Sequence, residues 1–366
     1  MDRPFPPLYY SEYLQLDGLL DSQHRKSEEY GAPAHDEMLF IIVHQAYELW
    51  FKQILFEMDS VIGLLSAEPV EEAHIGMCVS RLHRVTEIQK VLIDQLRILE
   101  TMTPLDFLDF RDFLFPASGF QSIQFRMLEI RLGLQSDSRL RYNQAAYHSR
   151  VSPQHRDQLI EAEQHPTMFD AIQSWLERTP FLETESYRFW DAYRSAVHEM
   201  LDADRSVIER NPTLSEEEKS VQLLGLGETT AHFDAVFDPS RHEALRTEGK
   251  LRLSHRATLA ALFVSLYRDQ PILAMPYRLI AALVDIDELM TTWRYRHALM
   301  VHRMIGTKIG TGGSSGYHYL KSTAESHRVF SDLTNLSTFL IPRTALPELP
   351  ALVRDRLGFV HKSGSR

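Results

Sequence analysis

Hydrophobic residues in this chain recur every three or four positions over long stretches, the spacing that gathers them on one helix face. Between residues 35 and 65 they fall at Leu39, Ile42, Val43, Tyr47, Trp50 and Ile54, which predicts one long helix. The same period predicts helices over 71–99, 105–113, 121–132, 168–177, 186–209, 215–237 and 256–267. Thr103 and Pro104 mark a stop between the second and third of these. Pro276 predicts the start of another long helix that reaches residue 305, because proline lacks the N–H that a helix interior needs. A short helix is expected over 10–23. Strand-like alternation and fixed-period repeats are missing. The pattern predicts an all-α fold, a helical bundle with a helical insert in the middle of the chain. It reads as one domain over 1–366, in which the polar stretch 136–250 forms a helical subdomain. The tail past Pro342 is proline-spaced and is expected to pack loosely.

Composition narrows what such a bundle can do. The chain has 366 residues, 44% hydrophobic and 24% charged, enough for a sizeable core. A formal net charge of −11 argues against nucleic acid as a main partner. The N-terminal residues 1–7 lack the apolar core of a signal peptide, and no apolar run is long enough to span a bilayer. The single cysteine, Cys78, excludes an intramolecular disulfide, a thiolate zinc site, an iron–sulfur cluster and a Cys-x-x-Cys-His heme attachment. These features point to a cytoplasmic protein.

Two features carry candidate chemistry. His297 lies in the run WRYRH at 293–297, on an apolar helix, and the polar glycine loop GTGGSSG follows at 310–316. A helical histidine beside an apolar stripe can ligate a buried metal or heme. A Gly/Ser/Thr loop can bring backbone N–H groups and hydroxyls to a small charged ligand. The loop is not a phosphate-binding P-loop, because no Gly-Lys-Ser/Thr follows. Phe40 and His44 share a helix face, with Tyr47, Glu48 and Phe51 close to it, which suits a flat ligand. Arg111 sits among aromatics and could bind a carboxylate. Taken singly, each has a plainer reading: a core histidine bonded to a carbonyl, a helix-to-helix turn, a surface ion pair. His35-Asp-Glu37 reads as capping of the helix start. Glu71-x-x-His74 is half of a di-iron motif whose second half does not follow.

Longer motifs change the balance. The segments HDEMLFIIVHQAYELWFKQ at 35–53, FRDFLFPASGFQS at 110–122, GTGGSSG at 310–316 and NLSTFLIP at 335–342 resemble the tryptophan 2,3-dioxygenase family, in the same order along the chain. The resemblance spans residues 10–347 and includes the middle region of the longer, animal-like members. It implies an all-helical, cytoplasmic homotetramer, a dimer of dimers. It also implies a non-covalently held heme b, active as Fe(II), that uses O₂ to cleave the C2–C3 bond of L-tryptophan and give N-formylkynurenine. By motif, His297 is the axial heme ligand and Trp293 lies in the cofactor site. His44 matches the distal histidine that accepts the indole N–H. Arg111 matches the clamp on the substrate carboxylate, and Thr311 the contact to its ammonium and carboxylate. Phe40 and Phe107 match walls of the indole pocket, and Ser118 a serine near the heme. Tyr10 and Tyr13 match aromatics that reach a neighbouring subunit's pocket.

Two departures stand against this match. The chain reads YSEYL at 10–14, with Ser11 where the family usually has glycine, and Arg296 replaces a residue often uncharged in animal-like members. Relatives in secondary metabolism hydroxylate tryptophan derivatives, so a heme monooxygenase is the alternative activity. The chemistry otherwise agrees with the residues: a flat apolar indole suits aromatic walls, and a zwitterionic head group suits an arginine with hydroxyl donors.

Overall fold

The computed structural model describes residues 5–135, 151–180, 183–184, 187–306, 308 and 316–358. The N-terminal third holds α1 (Tyr10–Leu14), α2 (Leu16–Leu20), α3 (Lys26–Glu29), α4 (Glu37–Leu65), α5 (Glu72–Leu99), α6 (Pro104–Arg111) and α7 (Ile123–Leu132). The middle holds α8 (Pro153–Ala162), α9 (Met168–Glu177), α10 (Phe189–Arg210), α11 (Glu216–Phe237) and α12 (Pro239–Thr247). Then follow α13 (His255–Leu266), α14 (Ala274–Ile305), α15 (Gly316–Ser326), α16 (Ser331–Asn335) and α17 (Ala351–Leu357). The only strands among the described residues are a two-residue antiparallel pair, Glu183–Thr184 against Tyr187–Arg188, with Glu183 opposite Arg188. The fold is all-α.

The long helices form where their apolar period is cleanest. In α5, Ile75, Cys78, Leu82, Val85, Leu92, Leu96 and Leu99 are all buried. This face packs between α4 and α14, and each fully buried side chain contributes roughly 1.5–3 kcal/mol. Polar links fix the register: the Tyr47 hydroxyl donates to the Leu92 carbonyl at 2.6 Å, and Gln89 donates to the Ile286 carbonyl at 3.2 Å. In α4 the buried face is Val43, Tyr47, Phe51, Ile54 and Met58. Ile42 and Trp50, expected in that stripe, instead stand 49% and 37% exposed. Helix α6 starts with Thr103 accepting from the Asp106 N–H, Asp106 returning the bond to the Thr103 N–H, and Pro104 at the first position.

Other expectations are corrected by local geometry. The predicted helix over 10–23 is broken at Gln15, which adopts φ 53° and ψ 43° and so turns the chain between α1 and α2. Helix α14 begins at Ala274, two residues before Pro276; the first-turn N–H groups have no partner inside the helix, so proline fits there. Glu37 does not serve its own helix start. Its buried carboxylate accepts from the N–H groups of Lys26 and Ser27 at 2.8 and 2.9 Å, capping α3. The C-terminal tail is docked, not loose: Leu349, Val353 and Leu357 are buried, and the Tyr267 hydroxyl donates to the Pro347 carbonyl at 2.6 Å. In the middle region, Phe169, Trp175, Phe189, Tyr193 and Phe237 belong to the same core cluster as α4, α5 and α14.

Candidate active site

A cavity of about 290 Å³ opens among α4, α6, α7, α14 and α15, with Leu96 and Leu99 of α5 at its floor. Its wall includes Phe40, His44, Phe107, Arg111, Ser118, Trp293 and His297, residues the sequence singled out from three separated segments. The cavity is predominantly apolar, with Phe51, Phe125, Met300 and Met304 adding to its lining.

On the α14 side, His297 and Trp293 are one helical turn apart and their rings stack, centroids 5.1 Å apart and planes 4° apart. Phe125 packs on the same tryptophan at 5.2 Å. The His297 Nδ1 atom is buried without a hydrogen-bond partner, and the ring's remaining surface faces the cavity. Burial pushes the imidazole pKa down to about 4, with nearby His44 adding to the effect, so His297 is neutral at physiological pH. A neutral, unsatisfied imidazole is the form that binds a metal.

Across the cavity, His44 is held differently. Its Nδ1 lies 2.7 Å from the Phe40 carbonyl, one turn earlier in α4. A carbonyl can only accept, so Nδ1 carries the proton and Nε2 is left as an acceptor. Burial holds the His44 pKa below the ordinary imidazole range, against the opposing pull of the Phe40 carbonyl and Glu48. Phe40 stacks beside His44 at 4.0 Å, Phe107 lies 5.8 Å from Phe40, and Phe110 backs both. Arg111 closes α6, half-buried on the cavity wall. Ser118 caps the short turn Gly119–Gln121 by accepting from the Phe120 N–H at 3.4 Å.

One expected site residue is not among the described residues and two lie elsewhere. Thr311 falls outside the described residues, as does most of its glycine loop. Tyr10 and Tyr13 stand 74% and 70% exposed on α1 and do not line this chain's own cavity. Arg296 makes a long contact to Glu100 at 3.8 Å, away from the cavity wall. The wall also holds polar residues to which the motif match gave no role. Glu48 accepts from the Ser122 hydroxyl at 2.5 Å and from Gln124 at 2.9 Å, which pins the start of α7 to α4. Arg126, Glu129, Arg294 and His327 form a buried cluster on the same wall. The one local signal for it was an Arg/Glu pair three residues apart inside the apolar run 123–132.

Fold and cavity together define a helical protein with two neutral histidines, from α4 and α14, on the wall of one aromatic-lined pocket. A family profile described as tryptophan 2,3-dioxygenase matches residues 6–340. The chain is 52% identical to a tryptophan 2,3-dioxygenase of Bdellovibrio bacteriovorus over 97% of this chain and 99% of that one. It is 50% identical to one from Alteromonas mediterranea over 98% and 99%. It is 46% identical to one from Dictyostelium discoideum over 96% and 88%. The chain belongs to the tryptophan 2,3-dioxygenase family.

Proposed function

We infer that this chain is a heme-dependent dioxygenase that opens the indole ring of L-tryptophan between C2 and C3 with O₂, giving N-formylkynurenine. The observation that carries this reading is the pair His297 of α14 and His44 of α4 lining one apolar cavity, in a chain about half identical to enzymes of that name. The residues fit a heme. His297 offers a neutral imidazole that the protein itself leaves unsatisfied, and Trp293 fixes its ring plane by stacking. Cys78 is buried in the core and does not line the cavity, which supports a non-covalent heme b. Bound heme supplies an Fe(II) centre that binds and activates O₂, chemistry that side chains cannot perform.

The chain's own residues position the substrate. His44 accepts the indole N–H at Nε2, the nitrogen its bond to Phe40 leaves free, and N1 keeps its proton. Phe40 and Phe107 form apolar walls against the flat ring. Arg111 engages the carboxylate with its planar fork, and Thr311 contacts the ammonium and carboxylate. Ser118 has its hydroxyl proton available beside the cofactor. Holding the amino acid at both ends orients C2 and C3, and orientation lowers a bimolecular barrier by several kcal/mol.

The apolar residues left on the surface support a homotetramer built as a dimer of dimers. Tyr10, Tyr13 and Leu20 on α1 and α2, and Phe56 on α4, are each at least 70% exposed, apolar surface of the kind a partner subunit covers. In such an assembly Tyr10 and Tyr13 complete a neighbour's pocket. No helix among the described residues is long and apolar enough to cross a membrane, in keeping with a cytoplasmic enzyme.

The alternative, mono-oxygenation of a tryptophan derivative, is not favoured by the names or identities of the relatives. Mass spectrometry of the product from L-tryptophan under ¹⁸O₂ decides between them. N-formylkynurenine carrying two labelled oxygens is expected. One labelled oxygen on an intact indole skeleton would overturn the assignment.

A further inference from the structure

The cavity wall carries a second arginine centre, separate from Arg111. Arg126 of α7 and Arg294 of α14 are 7% and 5% exposed, and both share the carboxylate of Glu129, which is 2% exposed. Arg126 Nη1 donates to Glu129 Oε2 at 3.0 Å and Arg294 Nη2 to Glu129 Oε1 at 2.9 Å. Arg294 spends its other tip on the His327 carbonyl at 2.8 Å, and His327 Nδ1 lies 3.3 Å from Glu129 Oε1.

A purely structural staple between α7, α14 and the end of α15 accounts for Arg294 and Glu129. It does not account for Arg126. That guanidinium offers five N–H donors, makes one described hydrogen bond, and leaves its Nε buried with no partner. Asp287 of α14 is engaged by the N–H groups of Val329 and Phe330 and interacts electrostatically with Arg294. A buried cation with unfilled donors on the wall of a ligand cavity is costly unless the ligand brings an anion. Tryptophan has one carboxylate, and Arg111 takes it in the reading above. Heme b brings two more.

We propose that Arg126 holds a propionate carboxylate of the bound heme, with Glu129 and Arg294 fixing the orientation of its guanidinium. The assignment rests on the heme reading above. It gives the cavity two carboxylate sites with separate tasks: Arg111 at the end of α6 for substrate, and Arg126 in α7 for cofactor.

The test titrates protein produced without added heme with hemin and with hemin dimethyl ester, whose carboxylates are masked, following the Soret band. Wild type should bind hemin at least about tenfold more tightly than the ester, the order expected for one charge-assisted hydrogen bond. In Arg126→Met the ratio should fall to about one. Arg126→Gln, which can still bond Glu129, repeats the comparison should the methionine variant fail to fold by circular dichroism. A wild-type ratio retained in either folded neutral variant overturns the assignment, as does a wild type that binds hemin and ester equally. A wild type that binds no hemin sinks the heme reading, and this assignment with it.

Discussion

The two walls of the cavity treat their histidines in opposite ways. On α4, His44 is tied to the Phe40 carbonyl, so the protein chooses its tautomer and leaves one nitrogen as an acceptor. On α14, His297 is stacked on Trp293 and its buried Nδ1 has no hydrogen bond. Burial keeps both rings neutral. The lesson is that a shared pKa direction does not give a shared role. What separates them is hydrogen bonding: a ring oriented by the backbone suits recognition of an N–H, whereas a ring oriented by stacking keeps its nitrogens free of internal competition for a metal.

The sharpest way to break this contrast is to remove each ring in turn. His297→Ala should purify almost free of heme while His44→Ala keeps it, read as the ratio of Soret absorbance to protein. Equal heme retention would erase the distinction between the walls. Next in size is the clamp beside His44. Arg111→Lys keeps the charge but loses the planar fork, and kcat/KM should fall by roughly 2–4 kcal/mol of transition-state binding, chiefly through KM. Tryptamine, without a carboxylate, should be a very poor substrate for wild type; efficient turnover of it would remove Arg111 from that role.

Losing the hydrogen bond from the indole N–H should cost less. His44→Ala should lower the rate by about tenfold, the effect of one hydrogen bond near 1–1.5 kcal/mol, without abolishing it. 1-Methyltryptophan, which cannot donate, should suffer in wild type and regain relative ground in His44→Ala. The pH dependence has a fixed sign. Burial lowers the His44 pKa, so its accepting neutral form persists as pH falls through 6.5, the ordinary imidazole value. The His44-dependent part of kcat/KM should decline only below that point; a decline already centred above it contradicts a neutral acceptor with a lowered pKa. The smallest effect belongs to the stack itself. Trp293→Leu should keep heme but speed its loss to apomyoglobin severalfold, in line with the roughly 0.5–1.5 kcal/mol of an aromatic pair. An unchanged loss rate would mean that the stack contributes nothing to holding the axial ring.

Helix existence was legible from period alone, because one buried face per helix forces a three- and four-residue recurrence. The predicted helix over 168–177 matches Met168–Glu177, where Thr167 and Asp170 form a reciprocal cap. Helices α8, α12 and α17 were less legible: α8 buries only Leu159 and Ala162, α12 only His242, and α17 only Val353 and Leu357, too few apolar positions for a period to show. The site motifs were legible because each is a local string, and six of the residues they named line one cavity together with Trp293. Tyr10 and Tyr13 do not, standing 74% and 70% exposed among the described residues.

The sequence by itself determined the helices, the family and which local strings carry the chemistry, since these depend on neighbours three or four positions apart. Tertiary structure alone decided what depends on distant partners. It buried Val43 while leaving Ile42 and Trp50 on the surface. It docked the tail through Tyr267 and Pro347. It also brought Glu129 within reach of Arg294, 165 positions away, and of His327, 198 away. Contacts at such separations carry no periodic trace, because each is specified by the packing of whole helices and not by the spacing of residues along one of them.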